Sequence, residues 1–384
     1  MNLGDRMSAT VVRVIDATLH AVGGPVHVVV TGLTTADEVL EAVSKAGAQA
    51  RIEDGRLIVV ARASQLVDAA GRSGGSSVAE PLRARLDDAL GAWAGRSPVL
   101  HTPMGDLPTD TRPVVIGIVN VTPDSFSDGG DHADADAAVA HGQALAEAGA
   151  DVVDVGGESS RPGADAVGLE TELARVLPVV QRLAADGLIV SIDTTKAEVA
   201  RRAVAVGAAM VNDISAGRLD DDLIATVASL GVPYVLMHMQ GTPRTMQDAP
   251  RYGDAVAEVF DFLAGRLERF QELGLDPEHV VVDPGIGFGK STEHNLALLH
   301  GLRQLASLGR PVLVGASRKR FLGDVTGVAE PAARGTASAA VAAIAVANGA
   351  RLLRVHDVAQ TVEAVQVAHA IALAGADHTA PDAR

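Results

Sequence analysis

The C-terminal two-thirds of the chain alternates short apolar runs with longer segments of helical periodicity. This alternation is typical of parallel strands joined by crossover helices. The apolar runs predict eight strands, at residues 114–119, 151–155, 188–192, 209–211, 234–237, 280–282, 312–314 and 352–355. Eight strands in roughly 250 residues, each followed by a helix, predict a (β/α)8 TIM barrel. A doubly wound parallel sheet is the alternative, because strand number does not establish closure.

Residues 1–94 predict a separate small α/β domain. The run 26–30 predicts a strand, and residues 49–60 alternate around an Asp54-Gly55 turn, which predicts a hairpin. Helices are predicted at 36–46, 64–70 and 77–94, the first capped by Thr34 or Thr35. The segment carries no catalytic constellation, so we interpret it as a packing or dimerisation module of unknown role.

The segment 95–113 contains four prolines and no amphipathic period, which predicts an extended linker. The TIM barrel is therefore expected to span residues 114–376, with a flexible tail at 377–384.

Composition narrows the classes of partner. The net charge of −16 argues against nonspecific binding of nucleic acid or of an anionic membrane. The absence of cysteine excludes disulfides and thiolate metal sites. The charged first twenty residues do not fit a secretory signal, and the uncharged run 335–350 is shorter than a membrane span. These features predict a soluble cytoplasmic protein.

Polar residues directly follow every predicted strand. In order they are Asn120, the loop Gly156-Gly157-Glu158-Ser159-Ser160-Arg161, Asp193, Asn212-Asp213, His238, Asp283, Ser317-Arg318-Lys319, and His356-Asp357 with Arg354 just inside the last strand. In a TIM barrel all of these positions open on one mouth, where active sites lie. Each residue alone could be a helix cap or a satisfied core group, but together they predict a site.

Three of these residues suit a flat, nitrogen-rich heterocycle. Asp193, Asn212 and Asp283 supply acceptors and an amide, and a carboxylate accepts two parallel hydrogen bonds from a guanidine-like edge. Phe288, one of nine aromatic residues, lies in the glycine-rich loop beside Asp283. Its ring could stack on a ligand or could plug the loop.

A second group predicts an anion pocket. Arg354 and His356 point to the same side of their strand, and Asn120 lies on the neighbouring strand if the barrel closes. In so acidic a protein a phosphate would bind there, within reach of Lys319.

Two familiar motifs do not fit the sequence. The loop 284–291 ends like a Walker A motif, but Pro284 replaces the required first glycine, and its Gly-x-Gly-x-Gly spacing is not a dinucleotide fingerprint. No clustered histidines predict a metal site built by the protein alone. A bound metal is expected to be Mg²⁺, held mainly by substrate phosphates and one protein oxygen.

Residues 114–374 closely resemble the dihydropteroate synthase family. The resemblance rests on eight blocks in the family's order: Gly117-Ile118-Val119-Asn120-Val121-Thr122-Pro123-Asp124-Ser125-Phe126, Asp154-Val155-Gly156-Gly157-Glu158-Ser159-Ser160-Arg161-Pro162-Gly163, Ser191-Ile192-Asp193-Thr194, Val211-Asn212-Asp213-Ile214, Met237-His238-Met239-Gln240-Gly241, Asp283-Pro284-Gly285-Ile286-Gly287-Phe288-Gly289-Lys290, Ser317-Arg318-Lys319 and Arg354-Val355-His356-Asp357.

The resemblance implies a TIM barrel that condenses 6-hydroxymethyl-7,8-dihydropterin diphosphate with 4-aminobenzoate, and a homodimer. It implies a pterin-binding set of Asp193, Asn212, Met237, Asp283 and Lys319. It implies a diphosphate pocket of Asn120, Arg354 and His356, with Mg²⁺ near Asn120 and with catalysis carried by Lys319, Arg354 and His356. The 4-aminobenzoate side would be lined by Phe126, Ser160, Arg161, Pro162, Phe288 and Ser317.

Two residues depart from the family pattern. Ser160 stands where many members have Thr, and Arg320 follows Lys319 where some members have Ser near the aminobenzoate carboxylate. A guanidinium could bind that carboxylate instead. The alternatives are a pterin-binding methyltransferase and a degenerate barrel retained as a binding subunit. The loop 158–162 and the segment 317–319 favour the synthase.

Overall fold

The computed structural model describes residues 11–15, 25–31, 49–53, 56–62, 88–92, 95–121, 131–159 and 166–377. They divide into two compact units. One unit lies within residues 1–97 and includes Arg303–Arg310, and the other comprises Pro98–Leu302 and Pro311–Asp377.

The smaller unit contains an antiparallel sheet. Its strands are β1 (Val11–Ile15), β2 (Pro25–Thr31), β3 (Gln49–Glu53) and β4 (Arg56–Arg62), in the order β1-β2-β4-β3. The hairpin predicted around Asp54-Gly55 is confirmed, because β3 and β4 pair antiparallel. The predicted helices at 36–46 and 64–70 lie outside the described residues, and of 77–94 the helical stretch 88–92 is described.

The larger unit begins with a hairpin in place of the predicted extended linker. Strands β5 (Leu100–Thr102) and β6 (Gly105–Leu107) pair antiparallel. Leu100 and Leu107 are buried in one cluster with apolar residues of the barrel strands. The prolines misled the sequence interpretation because they lie beside the strands or in the turn, where the missing N–H of proline is tolerated.

Eight parallel strands form the sheet that follows in the described chain. They are β7 (Val114–Asn120), β8 (Val152–Gly156), β9 (Val190–Asp193), β10 (Met210–Asp213), β11 (Tyr234–Met237), β12 (Val280–Asp283), β13 (Leu313–Val314) and β14 (Leu352–Val355). Their order is β12-β11-β10-β9-β8-β7-β14-β13, and a parallel bridge between Val282 and Val312 joins the two ends of this order. The predicted TIM barrel is confirmed, and the open doubly wound sheet is excluded.

Helices alternate with these strands. They are α1 (Asp131–Glu147), α2 (Leu169–Ala185), α3 (Ala197–Ala205), α4 (Leu223–Leu230), α5 (Ala255–Glu272), α6 (Thr292–His300), α7 (Leu302–Ala306), α8 (Arg320–Thr326), α9 (Gly335–Ala347) and α10 (Val358–Asp377), with short 3-10 turns at Pro277–His279 and Pro331–Arg334. In the part of the chain that is described, none of the helices combines the length and hydropathy needed to cross a membrane.

Burial explains why the strands are almost wholly apolar. Every residue of β8, β10, β11 and β12 is buried, as expected for parallel strands covered by helices on one side and by barrel core on the other. A charged or amide residue within such a strand or at its end therefore has few solvent contacts, and its partners must come from the protein or from a ligand.

Candidate active site

The strand ends bring the predicted heterocycle-binding residues to one mouth. Asp193 ends β9 and pairs in register with Asn212 on β10, and Asp283 ends β12 opposite Met237 on β11. Asn212 and Asp283 are each 6% exposed. The arrangement follows from the parallel register, which aligns the carboxyl ends of neighbouring strands.

Arg354 links two acids at the centre of the mouth. Its Nε donates to Oδ2 of Asp154 at 2.6 Å, and its Nη2 donates to Oδ2 of Asp193 at 2.7 Å. Asn212 donates from Nδ2 to the same Asp154 oxygen at 3.0 Å. The guanidinium predicted to bind phosphate is thus oriented by the carboxylates of Asp154 and Asp193.

Asp154 is the central residue that sequence reasoning missed. It lies in the middle of β8, it is 1% exposed, and its Oδ1 is a buried oxygen with no hydrogen-bond partner among the described residues. The available signal was a carboxylate inside an otherwise apolar strand, because fully buried acids are rare unless paired. We therefore add Asp154 to the residues that organise the site.

Burial and charge tune Asp193 and Arg354 in opposite directions. Burial raises the pKa of Asp193 to about 7, the Arg354 guanidinium opposes this shift, and the carboxylates of Asp154 and Glu172 add to it. Burial alone would lower the pKa of Arg354, but attraction to Asp154 and Asp193 outweighs it and the pKa lies above its ordinary value. Asp193 therefore titrates near neutral pH while Arg354 stays charged.

Asp283 and Lys319 form a second charged group at the mouth. Burial lowers the pKa of Lys319 to about 8, against the attraction of Asp283. Burial likewise raises the pKa of Asp283, against the attraction of Lys319. Asp283 accepts the Gly285 N–H at 2.6 Å, and the Lys319 ammonium lies 4.4 Å from the ring centroid of Phe288.

The glycine-rich loop after β12 is held by side chains. Four consecutive carbonyls accept hydrogen bonds from four side-chain donors: Ile286 from Lys319, Gly287 from Gln247, Phe288 from Lys290 and Gly289 from Tyr252. Gly285 has φ +66°, and a Cβ there would lie 1.9 Å from the carbonyl oxygen of His238. Only glycine fits that position without displacing backbone.

His356 is neutral and oriented by Ser317. Its Nδ1 lies 3.1 Å from Ser317 Oγ, which also accepts the His356 backbone N–H at 3.2 Å. Burial, together with the charge of Arg354, lowers the pKa of His356 to about 4. The serine hydroxyl can donate to Nδ1, and in that tautomer the imidazole proton lies on Nε2. Ser317, expected on the aminobenzoate side, thus contacts a residue of the expected diphosphate pocket.

Other strand-end residues have structural partners. The Asp213 carboxylate is buried and accepts hydrogen bonds from Ser215, Gly217 and Tyr234. Neither it nor His238, which contacts Lys290, needs a ligand to be satisfied.

The remaining predicted site residues have varied positions. Asn120 ends β7 half-buried, and Met237 is buried in a cluster with Met239 and Met246 against which Phe288 packs. The side chain of Arg320 is 92% exposed and lies 3.8 Å from Asp324 at the surface. Four predicted residues of the aminobenzoate side lie outside the described residues: Phe126, Ser160, Arg161 and Pro162.

Comparison with known proteins defines the class of this site. The family model described as pterin binding enzyme matches residues 116–356. A dihydropteroate synthase from Mycobacterium leprae is 49% identical over 268 residues, which covers 68% of this chain and 94% of that protein. The Escherichia coli K12 dihydropteroate synthase is 46% identical, covering 68% of this chain and 92% of that protein.

A solved structure agrees with this class. Xanthomonas albilineans dihydropteroate synthase with 4-aminobenzoic acid shares 51% identity and a TM-score of 0.67, covering 74% of this chain and all of that one. The fold, the acidic and amide residues at its mouth and the family match together place this chain in the class of pterin-binding enzymes. More narrowly, the chain belongs to the dihydropteroate synthase family. It is a transferase of folate biosynthesis that condenses 6-hydroxymethyl-7,8-dihydropterin diphosphate with 4-aminobenzoate, giving 7,8-dihydropteroate and pyrophosphate.

Proposed function

We propose that the mouth divides this reaction among three neighbouring subsites. The pterin subsite comprises Asp193, Asn212, Met237, Asp283 and Lys319. The observation that carries the proposal is the pair of oriented charge groups, Arg354 with Asp193 on one side and Lys319 with Asp283 on the other. A flat heterocycle between them would meet carboxylates and an amide, with buried Met237 offering an apolar contact.

The diphosphate would bind Asn120, Arg354 and His356. Arg354 is already oriented by two carboxylates, so little side-chain entropy is lost when it meets a phosphate. Neutral His356 can donate its Nε2 proton to a phosphate oxygen. Together these groups would stabilise the negative charge that develops on the departing pyrophosphate.

Magnesium is compatible with the donors present. No cluster of three or more His, Cys, Asp or Glu side chains able to hold a metal occurs in the described part of the chain. The Asn120 amide oxygen is a hard ligand of the kind that Mg²⁺ accepts, with substrate phosphates completing its coordination. When bound, Mg²⁺ would neutralise part of the diphosphate charge.

The chemistry requires orientation and charge stabilisation. The amine of 4-aminobenzoate forms a C–N bond to the pterin methylene as the C–O bond to the diphosphate breaks, and the amine proton is then lost. Holding the two reactants in line supplies much of the rate, so no protein nucleophile is required. Phe288 and Ser317, with Phe126, Ser160, Arg161 and Pro162, are proposed to line the aminobenzoate side.

Two variants test how the subsites are divided. Asp283→Asn should weaken binding of the dihydropterin about 10-fold or more, because a charge-assisted hydrogen bond contributes about 1.5–3 kcal/mol. Arg354→Lys should instead lower turnover and diphosphate affinity, because lysine cannot reproduce the fork geometry. Calorimetric titration with dihydropterin and a pyrophosphate-release assay measure the two effects. Unchanged pterin affinity in Asp283→Asn would contradict the assignment, and folded wild-type protein that forms no pyrophosphate would favour a binding subunit.

We also propose a cytoplasmic homodimer that pairs through the last two helices. Four large apolar side chains of α9 and α10 are more than half exposed: Ile344, Val367, Ile371 and Leu373. Such exposure on neighbouring helices suits an interface between copies. Light scattering should give twice the chain mass for the wild type and a monomer for Ile371→Glu. A monomeric wild type would contradict the proposal.

The domain boundaries are proposed as residues 1–94 for the small domain and 114–376 for the barrel. The buried Leu100 and Leu107 support moving the start of the barrel unit from residue 114 to residue 98. A chain shortened to residues 98–384 should retain synthase activity. If the shortened chain folds but has lost that activity, the small domain contributes to catalysis.

A further inference from the structure

We propose that Lys290 is a positioning residue that fixes the glycine-rich loop and, through it, the ring of Phe288 at the barrel mouth. Lys290 is not among the residues that the proposed function uses. The inference rests on that function only in placing Phe288 beside 4-aminobenzoate.

Lys290 is buried beside three polar atoms, and burial lowers the pKa of its side chain well below the ordinary value. It is 3% exposed, and its Nζ contacts His238 Nδ1 at 2.9 Å, the Phe288 carbonyl at 3.0 Å and the His238 carbonyl at 3.3 Å. The two carbonyls can only accept, so they take two N–H donors of Lys290 whether its amine is charged or neutral. Burying a lysine is costly, and a surface position would avoid that cost. We therefore interpret the buried Lys290 as a residue that holds the backbone carbonyls of His238 and Phe288 in place.

His238 serves Lys290 as an acceptor. Burial lowers the pKa of His238 to about 2, so the ring is neutral. The Lys290 amine can donate to Nδ1 or, when neutral, accept from it, so the contact holds in either tautomer of the ring. The ring also packs edge-on to Phe262, at 4.8 Å between centroids. His238, directly after β11, is held by its packing, and Lys290 links the glycine-rich loop to it.

The backbone on both sides of Phe288 is conformationally permissive, so the position of Phe288 depends on the hydrogen bonds that hold the loop. It lies between Gly287 at φ +83° and Gly289 at φ +63°, two residues with the widest conformational freedom. Its ring packs on the cluster of Met237, Met239 and Met246, which are flexible side chains, and lies against the Lys319 ammonium. The Lys290 hydrogen bond holds the carbonyl of Phe288 itself.

The other donors to the loop provide matched controls. Gln247 is exposed and bonds the Gly287 carbonyl at 2.8 Å, while half-buried Tyr252 bonds the Gly289 carbonyl at 2.9 Å. Water can replace a donor near the surface, whereas Lys290 is buried and its loss removes three contacts at once, two of them to buried His238. The loop should therefore depend on Lys290 more than on Gln247 or Tyr252.

Lys290→Met tests the inference, because methionine keeps the apolar stem and removes the donors. We expect the KM for 4-aminobenzoate to rise about 10-fold, equivalent to about 1.4 kcal/mol, and kcat to change less. KM does not depend on the active fraction of the sample, so partial unfolding alone would not move it. Tyr252→Phe and Gln247→Ala should each stay within about 2-fold of wild type. An equal rise in these controls would overturn the role of Lys290.

His238 supplies a second test if Lys290→Met does not fold. His238→Asn places an acceptor near the position of Nδ1 and should keep KM near the wild-type value, whereas His238→Leu should raise it as Lys290→Met does. Equal KM values for the two His238 variants would overturn the inference.

Phe288→Leu separates this inference from the proposed function. If Phe288→Leu raises the KM for 4-aminobenzoate and Lys290→Met leaves it unchanged, the positioning role is wrong and the subsite stands. If neither raises it, the placement of Phe288 beside 4-aminobenzoate is wrong, and the inference fails with it. A rise in both variants, with the controls unchanged, supports the inference.

Discussion

Asp193 and Lys319 are the site residues whose charge changes near neutral pH. Burial raises the pKa of Asp193 to about 7 and lowers that of Lys319 to about 8. The proposed pterin contacts need the carboxylate and the ammonium, so activity should fall below pH 7 as Asp193 is protonated and above pH 8 as Lys319 loses its proton. A bell-shaped profile of kcat/KM is expected. Lys319→Arg should keep the acid limb and lose the alkaline one, and a wild-type profile flat across this range would contradict the assignment.

Asp154 offers a sharper test at the residue scale. Asp154→Asn keeps the shape but removes the charge that orients Arg354, and it leaves one acceptor oxygen where Asp154 has two. Breaking a buried ion pair costs about 3–5 kcal/mol, so the denaturation midpoint should drop markedly. We expect kcat to fall also, because Arg354 keeps Asp193 alone as its ionic partner. Exposed Asp136, paired with Arg182, is the control, and Asp136→Asn should change neither quantity.

The sequence predicted the positions of those polar residues that directly follow a strand. Asp193, Asn212 and Asp283 were predicted at the mouth because a parallel barrel aligns strand ends. Asp154 and Lys290 were missed because one lies inside a strand and the other closes a glycine-rich loop, and their importance comes from partners distant in sequence. Asp213 and His238 were predicted at the mouth, but their hydrogen bonds are internal.

The conformation of the glycine-rich loop after β12 depends on glycine at position 285. Gly285 and Gly231 share a left-handed φ, +66° and +64°, but a Cβ at Gly285 would lie 1.9 Å from a backbone oxygen while one at Gly231 would meet open space. Gly231→Ala should therefore cost only the conformational strain, about 1–2 kcal/mol. Gly285→Ala must also displace β11 or the loop, and should lose pterin binding. Equal unfolding free energies for the two variants would show that the close approach has no consequence.

Elements were predicted well where burial dominates their composition. Every predicted barrel strand is present with bounds shifted by at most two residues, because strands buried on both faces must be apolar along their length. The hairpin of β5 and β6 was missed because three-residue strands carry too short a pattern to recognise among prolines.

That hairpin belongs to the core of the whole barrel. Leu107 is 2% exposed within the barrel cluster, whereas Met104 in the same hairpin is 43% exposed. Leu107→Ala should destabilise the barrel by about 2–5 kcal/mol, because the cavity lies in the core. Met104→Ala should change the unfolding free energy by about 0.5 kcal/mol or less. If Leu107→Ala behaves like Met104→Ala in denaturant titrations, the hairpin is peripheral to barrel stability.

The ring itself closes at a narrow seam. Between β12 and β13 the described chain has one bridge, Val282 with Val312, and a hydrogen bond from the Val282 N–H to the Pro311 carbonyl at 2.9 Å. Asp283 borders one side of this seam, and Lys319 follows the strand on the other. Local opening of the native barrel should begin here, where an isolated bridge takes the place of a longer strand pairing. A pterin that binds both Asp283 and Lys319 would link the two strands and stabilise the seam. Amide hydrogen exchange at Val282 should therefore slow when the pterin binds.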